Sequence, residues 1–442
     1  MGREPVDWIH RLGQLAKPLV PVCEVPADLT GLVSIGEEAP ALAAGVPDED
    51  VDALWRAVEA LYRSGVYPAL QLCIRREGQV VLDRSLGHAR GNAPDDAADA
   101  SKPLATTETR FNIFSASKAV AAMVIHKLDE QRVLHVADRV CDFIPQFAIH
   151  GKQEVTISHI LGHRAGIPSL PPGALNLDYL AEPDKLVEML CHAKPNSQAG
   201  RQLAYHAISG GFILAEIVKR ASGQSIREIF DKEIAQPLGL VRTSFGVAPV
   251  DVESVAVNAF TGPPAPPPLS GVLQTALGVE LREAVELSND PRFLTSIIAS
   301  ANVVSSAREL SRFYDCLLCE GELDGVRVLE PRTVRHATSE QSYGAIDRTL
   351  GMPVRYGLGF MLGSDGASPF GWNNPQAFGH VGFTNVLSWA DPQRQLSVAL
   401  LTSGKPVMSA HAIRLVQLLA EIQRVFPKIC GPGTGRRRFA RL

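Results

Sequence analysis

Phe111-Asn112-Ile113-Phe114-Ser115-Ala116-Ser117-Lys118 runs directly into a mostly apolar stretch, 119–128, that reads as helix. Ser115 and Lys118 lie three residues apart, a spacing that puts both on one helical face. Ser115 then falls in the first turn, where unpaired backbone N–H groups point outward and the helix dipole favours negative charge. A serine hydroxyl attacks poorly unless an adjacent base takes its proton. A lysine serves as that base only as the neutral amine, which needs desolvation or a cationic neighbour. Lys118 is the one lysine in the chain with a serine three positions before it. The same spacing also arises at ordinary helix starts with a solvated lysine, so its weight depends on what surrounds it.

Working outward, 48–64 has helical spacing of Val51, Leu54, Val58 and Leu61 with acids at its start. Segments 69–75 and 79–85 read as two strands of a hairpin around Glu77-Gly78. On the other side, 131–300 is mostly helical in pattern. It is interrupted by the Pro-rich run 262–270, expected to be a stiff exposed loop. A helix at 305–320 is followed by strand-like segments at 356–362, 377–380, 385–391 and 396–402. A last helix, 409–425, places Ile413, Val416, Leu419 and Ile422 at core spacing. The pattern predicts an α/β (α+β) fold: a mostly antiparallel sheet flanked by helices, built from 46–130 and 301–426, with a helical domain, 131–300, inserted. Residues 1–45 read as an irregular extension and 427–442 as a disordered basic tail. The crevice between the two parts is the default active site.

The 442 residues are 45% hydrophobic and 20% charged, as in ordinary soluble globular proteins, and a net charge of −4 gives no reason to expect a nucleic-acid partner. No stretch approaches the length of a membrane span, and no signal-like apolar run lies in the first thirty residues. The seven cysteines, an odd and scattered set, point to free thiols in a reducing compartment, and Cys316 and Cys319 read as core thiols of a helix. The expected location is cytoplasmic, although Ala440-Arg441-Leu442 resembles a peroxisomal address. The chain has no nucleophile-elbow, Walker A, dinucleotide or H-E-x-x-H motif. His159 and His163 stand four apart, but Gly162 and Gly166 indicate a helix end there, so no metal and no cofactor are expected.

Two further places carry chemistry. Tyr205, in Gly200-Arg-Gln-Leu-Ala-Tyr205-His206-Ala207, can shuttle protons if positive charge holds its hydroxyl as phenolate; it reads equally as a core tyrosine. His380-Val381-Gly382 is either a strand end with a solvent-facing histidine or a Gly-flanked backbone presenting an N–H to an oxyanion.

Together with Ile157-Ser-His-Ile-Leu-Gly-His163-Arg-Ala-Gly166-Ile-Pro168, Gln236-Pro-Leu-Gly239 and Trp389-Ala-Asp-Pro392, these motifs resemble, in order and spacing over 48–425, the serine β-lactamase and penicillin-binding-protein superfamily. The likeness is greatest to class C β-lactamases and the family VIII carboxylesterases of that fold. The resemblance implies that Ser115 is the acylated nucleophile, Lys118 its proton partner and Tyr205 a proton shuttle. It implies an oxyanion hole from the N–H groups of Ser115 and Phe383, with His380 and Gly382 where β-lactamases carry Lys-Thr-Gly. The chain departs from class C at Ala207, where an asparagine is usual, and at His380, where a lysine is usual. Both departures resemble the esterase branch. The expected function is therefore a serine esterase acting on small to medium acyl esters, its partner a small-molecule ester and its oligomeric state unmarked in the sequence. The rivals are an acyltransferase using the same acyl-enzyme, a weak β-lactamase or D-alanyl carboxypeptidase, and an inactive scaffold.

Overall fold

The computed structural model describes residues 20–429 apart from 172, 173, 175 and 384. Cys430, the arginine-rich tail and the Ala440-Arg441-Leu442 terminus lie outside the described residues. The main sheet has seven strands: β1 (Val33–Ile35), β2 (Ala69–Arg76), β3 (Gln79–Gly87), β4 (Met361–Leu362), β5 (Phe378–Gly382), β6 (Val386–Asp391) and β7 (Leu396–Thr402). Their order is β1-β3-β2-β7-β6-β5-β4, and every neighbouring pair is antiparallel. The β2–β3 turn is two residues, Glu77 (φ 53) and Gly78 (φ 81); two left-handed residues match the strands' twist. The chain ends meet where β7 pairs with β2, Ala399 opposite Cys73 and Leu400 opposite Leu72.

Six helices position the site: α1 (Asp48–Tyr62), α2 (Ser117–Glu130), α3 (Ser209–Ser222), α4 (Ala307–Leu318), α5 (Pro331–Ala337) and α6 (His411–Val425). Side chains of β2 alternate between faces, as the pleat requires. Leu70, Leu72 and Ile74 share a core with Leu54, Val58 and Leu61 of α1 and Leu418 and Ile422 of α6. Burying each such leucine fully contributes about 1.5–3 kcal/mol. Cys73 faces the opposite side with Ala399 and Leu401, against Leu310 and Phe313 of α4. Polar residues on that face find partners on α4: Arg75 donates to Ser311 Oγ at 3.1 Å, and Gln71 Oε1 accepts the Ala307 N–H at 2.9 Å.

Between 131 and 300 the one strand among the described residues is Ser244–Phe245. It pairs with Val303–Ser305, which pairs in turn with Phe111–Asn112. This small sheet ties the segment before Ser115 to the chain that returns from the helical region.

Several expectations need correction. Ile413 and Val416 of α6 are exposed; the helix is covered at His411 and through Leu418, Leu419, Ile422 and Val425. Of 356–362 only Met361–Leu362 joins the ladder. Gly359 (φ 100) turns the chain where a Cβ would lie 2.1 Å from that of Ala122, so close packing on α2 replaces strand pairing there. The Pro-rich run gives way to a helix already at Leu269, because prolines are tolerated before a first turn. The 1–45 extension contributes β1 at the sheet edge, three residues too short to show a period. The expected tail begins ordered, with Ile429 N–H donating to the Gln393 carbonyl at 2.9 Å. Cys316 is buried, whereas Cys319, just past α4, is exposed. Among the described residues no helix is long and apolar enough to cross a membrane.

Candidate active site

Asn112 Oδ1 accepts the Phe114 N–H at 3.0 Å, and Phe114 takes a left-handed φ of 48°. A short 3-10 turn, Phe114–Ala116, then feeds α2. Ser115 thus sits just ahead of the α-helix instead of in its first turn. Ser117, fully buried, accepts the Val303 N–H on its Oγ at 3.0 Å and so pins the turn to the small sheet. Of the two serines, Ser115 is the one turned to an open cavity.

Lys118 is buried one turn further on. Its Nζ lies 2.6 Å from the Ala207 carbonyl, 3.2 Å from the Ser300 carbonyl and 3.3 Å from Ser115 Oγ. Among the described residues no carboxylate pairs with it, and burial pushes its pKa down to about 7. A neutral amine has two N–H donors and one lone pair. The two carbonyls take the donors, which leaves the lone pair for the Ser115 hydroxyl.

Tyr205 is buried and hydrogen-bonded to Ser115 through its side chain, and Lys118 Nζ stands 4.8 Å above its ring. Burial drives the phenol pKa upward. The condition for a phenolate is not met: Tyr205 is held as a neutral phenol. Sequence reasoning missed its supports. Asp347 Oδ1 accepts the Tyr205 N–H at 3.1 Å and Asp347 Oδ2 accepts the Tyr356 hydroxyl at 2.9 Å. His163, read as half of a failed metal pair and as part of the 157–168 resemblance stretch but given no role, packs its ring 4.7 Å from Tyr205 and 4.8 Å from Tyr356. Asp347 is buried in a two-residue strand, with no periodicity or motif to single it out.

His380 is buried rather than solvent-facing. Its Nδ1–H donates to the Val381 carbonyl at 2.7 Å, and its Nε2 is buried without a partner among the described residues. Burial, with Lys118 nearby, lowers its pKa to about 3, so it is neutral at ordinary pH. Gly382 permits a close approach: a Cβ there would lie 2.0 Å from the Ile113 carbonyl oxygen, so any side chain would push β5 off the Ser115 segment. Phe383 follows with φ 49, its ring 4.8 Å from that of Phe114. Among the described residues the N–H groups of Ser115 and Phe383 take no backbone carbonyl in the turns around them. The six expected residues are thus brought together at one mouth.

That mouth opens on a cavity of about 810 Å³, its open entrance included. Leu177, Leu180, Phe212, Leu277, Leu287 and Phe293 supply much of its wall, and among the described residues no charged side chain lines it. Leu277 ends the helix that follows the Pro-rich run.

A mostly antiparallel sheet flanked by helices, with a serine beside a desolvated lysine at its mouth, is the arrangement of a serine hydrolase of the β-lactamase type. A family model described as Beta-lactamase matches residues 54–421, so the chain belongs to the beta-lactamase family. It is 28% identical over 396 residues to Esterase/beta-lactamase LipL of Mycobacterium tuberculosis, covering 83% of this chain and 85% of that protein. Among solved structures it resembles EstA from Arthrobacter nitroguajacolicus Rue61a, with 25% identity, a TM-score of 0.70, and 85% and 96% of the two chains covered. A family VIII carboxylesterase shares the fold at 24% identity and a TM-score of 0.72, over 88% of this chain and 99% of that one.

Proposed function

We propose that the chain is a carboxylesterase that hydrolyses neutral small to medium acyl esters through an acyl-enzyme on Ser115. One observation carries this reading: among the described residues the adjoining cavity has no charged lining, and the one cationic group beside the nucleophile, Lys118, loses its proton near pH 7. Lys118 is desolvated to a pKa of about 7, His380 is neutral, and the cavity wall is apolar. A site selecting a substrate carboxylate needs a cation at its rim. This one offers a neutral imidazole in that place.

In this reading Ser115 Oγ attacks the ester carbonyl carbon while its proton passes to Lys118 Nζ. The N–H groups of Ser115 and Phe383 take the developing oxyanion. The tetrahedral centre collapses, the bond from acyl carbon to alkoxy oxygen breaks, and the proton reaches the departing alcohol from Lys118 through the Tyr205 hydroxyl. Water then attacks the acyl carbon and gives its proton to Lys118. Ser115 leaves, takes that proton back, and the free acid departs. The inserted helical segment, 131–300, supplies the acyl-binding wall, and the sheet supplies His380, Gly382 and Phe383. The free thiols, Cys73 and Cys316 among them, suit work in the reducing cytoplasm.

Comparative turnover tests the assignment. The expected kcat/KM on neutral aryl butyrates and hexanoates exceeds that on a D-alanyl-D-alanine peptide or a β-lactam by at least about 10²-fold, because each anionic substrate leaves its carboxylate unpaired. Equal or greater turnover of the peptide would assign the site to carboxypeptidase chemistry instead.

A further inference from the structure

Eight residues beyond Lys118, the same helix α2 presents a second group of side chains. His126, Asp129 and, from α5, His336 bring one ligand atom each to within 4.8 Å of one another. His126 is buried. Its Nε2 lies 3.1 Å from the Leu358 carbonyl, which fixes that nitrogen as the N–H donor, and its Nδ1 is buried with no partner among the described residues. A backbone carbonyl that orients one imidazole nitrogen and leaves the other bare is the outer-shell contact that ligating histidines use. The His336 ring lies 5.9 Å from that of His126, centre to centre, and is exposed at the end of a short helix. His135 approaches from the open side, its Nε2 3.9 Å from Asp129 Oδ1.

We infer that His126, Asp129 and His336 form a site for a divalent transition metal, of which Zn²⁺ is the best match, clamping α2 to α5. Two imidazoles and one carboxylate suit zinc, with His135 or water as the fourth ligand. Tetrahedral zinc with bonds of about 2.1 Å wants ligands about 3.4 Å apart. Rotation of the exposed His336 supplies the closure. Arg132, Arg332 and Arg335 also line this cleft and work against a cation, offset in part by Glu130 and Glu330. Affinity must therefore come from direct nitrogen ligation, which disfavours Ca²⁺ and Mg²⁺. The site stands apart from the reacting serine, and nothing in the proposed ester chemistry requires it.

The test is equilibrium dialysis of the chelator-stripped full chain against Zn²⁺, with Co²⁺ absorption as a report on geometry. The wild type is expected to hold one ion per chain and to give the intense visible bands of tetrahedral Co²⁺. His336→Ala and Asp129→Asn are each expected to weaken Zn²⁺ binding by more than about 10-fold, since even an outer-shell loss costs 10–100-fold. His336 is exposed, so its variant keeps the fold, and thermal melts without metal verify this for both. Added Zn²⁺ is expected to raise the melting temperature of the wild type and not of His336→Ala. Absence of stoichiometric binding in the wild type, or binding unchanged in either variant, would overturn the site.

Discussion

The two ends of α2 make different uses of the same desolvation. At its start Lys118 is buried among carbonyl oxygens, which strips the ammonium of water and frees a lone pair towards the Ser115 hydroxyl. Two turns on, His126 is buried in a cluster with Asp129 and His336, one nitrogen committed to the Leu358 carbonyl and the other without a partner among the described residues. One end faces an apolar cavity, the other an open cleft lined with charge. The difference teaches that burial prepares a nitrogen lone pair and the neighbours decide its use. A hydroxyl makes it a base, and further ligand atoms make it a metal site.

The comparison breaks first at Lys118. Lys118→Arg keeps the positive charge but cannot release a proton. Ester turnover is expected to fall on the order of 10³-fold, and an arginine variant that still turns over at a tenth of the wild-type rate would remove lysine from the base role. Gly382→Ala drives a methyl group towards the Ile113 carbonyl and shifts β5 from the Ser115 turn. A displacement of that size costs about 10²-fold in kcat, with KM for a short ester much less affected.

The pH profile sharpens the account further. The active form is the neutral amine with a pKa of about 7. Below pH 7 kcat/KM is therefore expected to rise about tenfold per pH unit, and above pH 7 to level off. A profile already flat from pH 5 would mean that Lys118 does not carry the proton. The smallest effect belongs at the other end of the helix. His336→Ala is expected to leave metal-free ester turnover within about twofold, as for an exposed substitution away from the chemistry. A loss comparable to that of Lys118→Arg would join the two ends into one functional unit.

Much of this was legible in the sequence because it is local. The Glu77-Gly78 hairpin, the amphipathic spacing of α1 and the Ser115–Lys118 step each occupy a few consecutive residues. The site's supports were not legible because they come from far along the chain. Asp347 holds Tyr205 from 142 positions away, and the Ser300 carbonyl meets Lys118 from 182. A backbone carbonyl has no side-chain signature at all. The state of Tyr205 stayed open in the sequence for a related reason: the burial that opposes a charged phenolate has no local signature. His126 and Asp129 are three apart on α2, but His336 lies some two hundred residues on, so no motif unites them.

Intact-protein mass spectrometry on samples quenched during turnover of a short-chain aryl ester tests the central claim most directly. The account predicts an added acyl mass that maps to Ser115 and is absent from Ser115→Ala, whose turnover falls about 10³-fold or more. Near-wild-type turnover by Ser115→Ala, or an adduct on another residue, would contradict it.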